Sequence, residues 1–260
     1  MSASFGDRSE PTLKISIIIP VYNEFPLLDR VLDRVQRAPL LESWTKEIIV
    51  VDDGSTDGTA AKVQGYGRQG LVIGHQSILN FGKGTAVRIG IALASGDVIM
   101  IQDGDLEYDP NDYIRILTPI VRGEADVVYG SRFLGTQPKG MALRNLIANR
   151  VLTAAANLLY GARLTDEATA YKAFRASVLK EMSLQCEGFE FCPEVTAKAR
   201  LLGYKIHEVP ISYNARGIAE GKKIRARHGL EAIWTLLRYR FTPRNWLQAQ
   251  DRQFAPGPNS

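Results

Sequence analysis

The sequence predicts an α/β protein, a mostly parallel sheet with helices on both faces. Three observations carry this expectation. Short apolar runs alternate with amphipathic helical patterns along most of the 260 residues. The runs are apolar throughout, not at every second position, so each strand should have both faces covered. Polar clusters follow directly on three of the runs, and open parallel sheets bind ligands beyond the C-terminal ends of their strands.

The elements follow in order. Residues 1–12 read as a flexible tail, as do residues 248–260. Strands are expected at "ISIII" (15–19), "EIIVV" (47–51), "LVIGH" (71–75), "DVIMIQ" (97–102) and "DVVYG" (126–130). A helix over 26–37 places Leu28, Val31, Leu32 and Val35 on one stripe, with Pro26 at its first position. Helices over 84–95 and 111–123 have similar patterns. From about 144 to 202 the pattern is helical, and a strand-like "YKIHEVPISY" (204–213) follows. These residues form one domain, 13–227, with a basic helical extension over 228–247.

The helix of that extension, about 229–240, carries Leu230, Ile233, Trp234, Leu237 and Phe241 on one stripe, with Arg238, Arg240 and Arg244 elsewhere. Aromatic and basic residues on an amphipathic helix suit a peripheral membrane contact. Packing on the sheet, or on a second copy in a homo-oligomer, is the alternative. Between Arg216 and Arg244 eight basic residues face two acidic ones, although the whole chain carries only +4. Such a local excess points to phosphate groups or an anionic membrane surface. Without a nucleic-acid-binding motif, no nucleic-acid partner is expected.

Other classes are excluded. Cys186 and Cys192 lack a spaced Cys/His set, which argues against zinc and fits a reduced, cytoplasmic setting. The first residues lack the apolar core of a secretory signal. The longest uncharged apolar run is 12 residues, too short to span a bilayer. "GYGRQG" (65–70) matches a dinucleotide fingerprint by letter, but it follows a helix and precedes a strand, so it reads as a helix-ending turn. "FGKGTA" (81–86) is not a Walker A loop, yet it could offer backbone N–H groups to a phosphate at a helix start.

The polar clusters suggest chemistry. The first run is followed by Tyr22, Asn23 and Glu24, the second by Asp52, Asp53, Ser55 and Asp57, the fourth by Asp103, Asp105, Glu107 and Asp109. Each has a local alternative. Asn23 and Glu24 could cap the first helix, Asp53-Gly54 could be a plain turn, and Asp57 and Asp109 read as N-caps, the latter before Pro110. Together, however, at least five carboxylates would share one crevice, with only Lys83 and Arg132 to offset them. A bound cation resolves the repulsion. Asp-x-Asp at a strand end suits Mg²⁺ or Mn²⁺, which take carboxylate oxygens together with phosphate and water. A cation so held can stabilise the charge on a departing nucleoside diphosphate.

In order and spacing, "PVYNE", "VDDGSTDGT", "GKGTA", "DGD" and "GSR" resemble the inverting GT-A glycosyltransferases of family 2. The resemblance is strongest to the branch of dolichyl-phosphate mannose synthase and related polyprenyl-phosphate hexosyltransferases. It covers about residues 14–227 and implies a GT-A fold with a Rossmann-like sheet. It also implies roles. Pro20, Tyr22 and Glu24 would contact the nucleotide, and Val51 and Asp53 the nucleoside. Asp103 and Asp105, beside the Gly104 backbone, would bind metal and diphosphate. Glu107, where the family often has Gln, would join the metal shell. Lys83 counts with the donor-binding residues, and Arg132 would lie near the phosphates. Arg216 and Lys222 resemble a basic pair on a Gly-punctuated loop that orders over the diphosphate; a disordered basic linker is the alternative.

The implied donor is a UDP- or GDP-sugar and the implied acceptor a polyprenyl phosphate at the cytoplasmic membrane face. A phosphate monoester is mostly a dianion at neutral pH, its second pKa being about 6, and needs no general base. A hydroxyl acceptor, the alternative, does need one. Asp166 is the candidate base, or else an N-cap. Two departures bear on the acceptor: the family pairs an arginine with a serine four residues later, and here Arg144 is followed by Ala148. The expected Ser-Gly-Phe near Asp166 is also absent, Ala170-Tyr171 standing there. Glu190 and Glu194 resemble the family's substrate-proximal helix start, or favour a helix dipole. A non-catalytic sugar-nucleotide-binding protein would be marked by a broken Asp-x-Asp, and here the motif is intact.

Overall fold

The computed structural model describes residues 13–135, 138, 140–215 and 226–243. Seven strands, β1 (Leu13–Val21), β2 (Trp44–Asp52), β3 (Ile73–Gln76), β4 (Val98–Ile101), β5 (Val127–Ser131), β6 (Lys172–Arg175) and β7 (Ile206–Pro210), form one sheet in the order β3-β2-β1-β4-β6-β5-β7. All neighbours pair in parallel except β6, which runs antiparallel to both β4 and β5. The helices are α1 (Leu28–Arg37), α2 (Thr59–Arg68), α3 (Lys83–Leu93), α4 (Tyr113–Val121), α5 (Leu143–Tyr160), α6 (Ala176–Glu181), α7 (Phe191–Leu201) and α8 (Ala226–Phe241). A single 3-10 turn, Pro110–Asp112, precedes α4.

Alternate strand residues feed two cores. Ile15, Ile17 and Ile19 of β1 meet Leu28, Val31, Leu32 and Val35 of α1 and the inner face of α4. Ile18, Ile49, Val51, Ile99 and Ile101 face the other way, toward α3, α6 and α7. At β1, β2, β4 and β5 both sheet faces are thus dry, which is why these strands read as continuous apolar runs; the edge strand β3 is exposed, contrary to expectation. A third, smaller cluster joins α5, α7 and α8 through Leu152, Ala156, Ala197, Ala232, Leu236 and Tyr239.

Three expectations need correction. Pro26 does not open α1, which begins at Leu28 after Leu27. The stretch 144–202 is not wholly helical: β6 and α6 interrupt it. The apolar pattern hid β6 because Lys172, fully buried in it, reads as a surface residue. Asn23 does not cap α1 either. It sits at φ 52, its Oδ1 accepts from the Thr56 N–H at 2.8 Å, and its own N–H donates to Ser55 Oγ at 2.8 Å. It therefore ties the ends of β1 and β2 together.

The capping assignment of Asp109 agrees with the structure: it accepts from the Asn111 N–H ahead of α4. Asp57 stands one residue before the N-cap of α2, which is Gly58, and its Oδ1 accepts from the Thr59 N–H. The predicted stripe of α8 is not its packed face. Ala232, Leu236 and Tyr239 pack inward, Tyr160 Oη donates to the Leu236 carbonyl, and Leu230, Trp234 and Phe241 remain exposed. The helix is thus docked on the domain it was expected to extend. No helix among the described residues is long and apolar enough to cross a membrane.

Candidate active site

The direction of the strands gathers the polar clusters. The C-terminal ends of β1, β2, β4 and β5 lie along one edge, and β6, being reversed, brings the segment before it to the same edge. A cavity of about 700 Å³ opens there. Pro20, Glu24, Lys83, Asp103, Gly104, Asp105, Glu107 and Arg132 all line it.

Its floor is the segment after β4. Gln102 is buried and accepts the hydroxyls of Tyr113 (2.7 Å) and Tyr171 (2.6 Å); its Nε2 donates to the Asp103 carbonyl at 2.9 Å. Gly104 presses on the end of β1. A Cβ there would lie 2.8 Å from Val21 Cγ1 and 3.1 Å from the Pro20 carbonyl, so only glycine lets this backbone reach the crevice. Asp103 is ion-paired with Lys83, the first residue of α3. Burial works against the Lys83 charge, but Asp103 outweighs it and raises the ammonium pKa. Asp105 Oδ1 accepts from the Glu107 N–H at 3.0 Å, and Glu107 Oε2 accepts from Tyr213 Oη at 2.7 Å.

Arg132 forms the opposite wall. Its Nε and Nη2 donate to the two oxygens of Asp166, each at 2.7 Å; the Arg132 N–H adds a third bond to Asp166, and Asn149 Nδ2 a fourth. Glu208 receives the backbone N–H groups of Thr165 and Asp166 and fixes this loop. Asp166 is fully buried and does not line the cavity. No helix begins at it, so it is not an N-cap, and both its oxygens already serve Arg132. The expectation of a general base is therefore replaced by that of a support for the guanidinium.

Five other expected residues are not at the cavity wall. Val51 is fully buried in the second core cluster. Asp53 accepts from the Phe81 and Gly82 N–H groups, both at 2.8 Å; burial raises its pKa although these bonds pull the other way. The same bonds, with Thr85 N–H donating to the Glu187 carbonyl, occupy three of the backbone donors that "FGKGTA" was expected to offer a phosphate. Tyr22 is half-buried outside the lining residues. Glu194 is buried against Lys198 at 2.6 Å and holds the Gln185 and Cys186 N–H groups and Tyr239 Oη, which is a structural role. Glu190 folds back on the Glu187 and Gly188 N–H groups. Arg216 and Lys222 lie outside the described residues, as does Arg244.

Several lining residues were not singled out from sequence. Asn149 and Tyr213 touch the Arg132–Asp166 pair and Glu107, and His228 of α8 packs its ring 4.6 Å from that of Phe189. Thus α8 is part of the cavity wall rather than an appendage. The readable signal was polarity on an otherwise inward helix face for Asn149; His228 had none.

The electrostatics favour a cation. Among the described lining residues the carboxylates of Glu24, Asp103, Asp105 and Glu107 face Lys83, Arg132 and Arg144, and the first two of these cations are already paired. No three His, Cys, Asp or Glu side chains among the described residues gather into a metal-sized group. Glu107, turned to Tyr213, does not complete a shell with Asp103 and Asp105 as expected. The donor set still fits Mg²⁺ or Mn²⁺, which commonly use one or two carboxylates and take their remaining ligands from phosphates and water.

Below the floor lie two fully buried charges. Lys172 donates to the Glu167 carbonyl at 3.0 Å and stands 3.3 Å over the Tyr129 ring, while Glu167 Oε2 accepts from Thr196 and its Oε1 has no partner. Burial pushes the Glu167 carboxyl up to about 7, despite Lys172 pulling it down. The raised folded-state value means that the native chain holds this proton more tightly than the unfolded chain. The resulting stabilisation is complete below the unfolded pKa and is lost as pH rises to about 7. Glu167→Gln should therefore flatten the fall in thermal stability between about pH 4.5 and 7, by at most about 3 kcal/mol. Melting curves across this range check it, and parallel curves for both proteins would contradict it.

Comparison with known proteins places this geometry. Residues 16–183 match the family described as Glycosyl transferase family 2. The chain is 30% identical over 242 residues to dodecaprenyl-phosphate galacturonate synthase of Rhizobium johnstonii, covering 89% of this chain and 70% of that protein. It is also 30% identical over 217 residues to dolichol-phosphate mannosyltransferase of Pyrococcus furiosus, covering 81% of this chain but only 59% of that one. Among solved structures, glucosyl-3-phosphoglycerate synthase of Mycobacterium tuberculosis, in complex with Mn²⁺, UDP and glucosyl-3-phosphoglycerate, aligns with a TM-score of 0.65 at 22% identity. That alignment covers 89% of this chain and 81% of that one. At this identity the likeness shows a shared fold.

Proposed function

The chain belongs to glycosyltransferase family 2, and on that premise we propose that it transfers a hexose-type sugar from a UDP- or GDP-sugar to a polyprenyl phosphate, with inversion. The observation that carries this reading is the single cavity in which the Asp103–Gly104–Asp105 floor, Arg132 and Arg144 meet. The relatives named for polyprenyl phosphates support the acceptor, and the neighbour bound to UDP and Mn²⁺ supports the donor and the cation.

The residues divide the work as follows. Asp103 and Asp105 would hold Mg²⁺ or Mn²⁺, which when bound neutralises charge on the departing diphosphate. Arg132, oriented by Asp166 before any ligand arrives, stabilises the same charge without reorganising. Arg144, at the cavity mouth on α5, is placed to receive the acceptor phosphate. The phosphate dianion attacks the anomeric carbon from the side opposite the leaving group, and no proton has to be removed from it. That Asp166 is taken up by Arg132 favours this acceptor over a hydroxyl, which would need a base.

We also place the exposed apolar faces of α5 and α8 at the membrane. Leu143, Ile147, Val151 and Leu158 form one exposed stripe on α5, and Leu230, Trp234 and Phe241 one on α8. The two helices pack together and both line the cavity, so a bilayer meeting these stripes would lie beside Arg144. Flotation with anionic vesicles should carry the wild-type chain upward and leave a Trp234→Glu/Leu158→Glu double variant behind; equal flotation of both would refute the contact.

The function itself is tested by transfer of radiolabelled sugar from UDP- and GDP-sugars to a short polyprenyl phosphate, with Mn²⁺ or Mg²⁺ and with EDTA. Metal-dependent labelling of the lipid is expected from one donor. Absence of labelling from every donor would overturn the proposal.

A further inference from the structure

The segment after β7 stitches the two charged halves of the cavity together. The Ile211 N–H donates to the Ser131 carbonyl at 3.1 Å, beside Arg132; the Ser212 N–H donates to Asp112 Oδ2 at 2.7 Å; the Asn214 N–H donates to the Glu107 carbonyl at 2.9 Å. Between them Tyr213 bridges to Tyr108 in antiparallel fashion. One side chain touches both halves. Tyr213 Oη donates to Glu107 Oε2 at 2.7 Å, and the guanidinium carbon of Arg132 stands 5.0 Å from the centre of its ring.

That ring is well supported. It meets Tyr108 edge-on at 5.2 Å, and Tyr108 stacks on Tyr171 at 4.5 Å, the residue whose hydroxyl helps to hold Gln102 under Asp103. Tyr213 is buried. Burial and the adjacent Glu107 carboxylate push its phenol pKa upward, so it stays a donor. A rigid aromatic ring with a polar tip can thus fix a carboxylate at one end while its face carries a guanidinium.

We propose that Tyr213 is a positioning residue that couples the Glu107 side of the cavity, where a divalent cation would sit, to Arg132, so that cation and nucleoside diphosphate bind cooperatively. This rests on the nucleotide-sugar reading above. The Glu107 N–H in turn donates to Asp105 Oδ1, so fixing Glu107 and Arg132 to one ring holds the cation-binding segment and the phosphate-binding arginine near their bound geometry before ligand arrives. Without the hydroxyl, Glu107 loses its tie to the ring that carries Arg132, and each ligand must then organise its own half.

Calorimetric titration of UDP and of GDP into the full chain, with Mn²⁺ and with EDTA, tests this without measuring turnover. In the wild type, Mn²⁺ should tighten binding of one nucleotide. In Tyr213→Phe that tightening should shrink by about 5- to 10-fold, within the usual range of coupling between sites. Nucleotide affinity in EDTA and the melting temperature should hardly move, because the ring remains. In a Glu107→Gln background, Tyr213→Phe should add almost nothing, since the shared bond is already weakened. Full wild-type tightening in Tyr213→Phe overturns the proposal, as does an equal effect of Tyr213→Phe in both backgrounds. If the wild type binds neither nucleotide, the proposed function fails first and takes this inference with it.

Discussion

Asp105→Asn is expected to lower kcat/KM for the donor by about 100- to 1000-fold while leaving the fold intact. The fold should survive because the asparagine oxygen can still accept the Glu107 N–H that Asp105 Oδ1 accepts at 3.0 Å. What disappears is one negative charge at the cavity floor. Asp103 cannot substitute for it fully, since its carboxylate is shared with Lys83. Cation affinity should therefore fall along with the rate, and raising Mn²⁺ should recover part of the activity. Steady-state kinetics over a range of Mn²⁺ concentrations checks this. Undiminished activity at low metal would remove Asp105 from the cation site.

Asp166→Ala should produce the second large effect, first in stability. It leaves Arg132, itself only 7% exposed, without the two oxygens that bind its Nε and Nη2. Stranding a buried charge in this way costs about 3–5 kcal/mol. Thermal denaturation measures that loss. Kinetics then separates the possible roles: a support for Arg132 raises the KM of the donor, because the guanidinium that meets the diphosphate is loosened. A general base would lower kcat and leave donor KM unchanged. Asp166→Asn, which keeps the volume but turns an amide toward the Arg132 donors, should show the same KM effect with a smaller stability loss.

Much of this architecture was readable from the chain because its determinants are local. Four strands, β1, β2, β4 and β5, contain continuous apolar runs, and the acidic clusters sit immediately after three of them, so a parallel sheet alone brings Glu24, Asp103, Asp105 and Glu107 to one edge. What escaped depended on long-range pairing. β6 carries a buried lysine and reads as part of a helical stretch, yet its antiparallel insertion between β4 and β5 decides where Asp166 goes. Read without β6, Asp166 is a cap or a base; with β6 in place it lies against Arg132, 34 residues away. Asp53 and Val51 show the same limit. Their positions at a strand end were legible, but whether each side chain faces the cavity, a backbone loop or the core depended on how α3 docks. The tie between Tyr213 and Glu107 spans 106 residues and leaves no mark in either local pattern.

The proposed acceptor is a phosphate, which needs no base from the protein. One measurement decides this directly: the rate of sugar transfer to a short polyprenyl phosphate against the corresponding alcohol, with the same donor and saturating Mn²⁺. Labelling of the phosphate with none of the alcohol is the predicted result. Labelling of the alcohol but not the phosphate would contradict it and would require a base that the Arg132–Asp166 pair, as found here, does not provide.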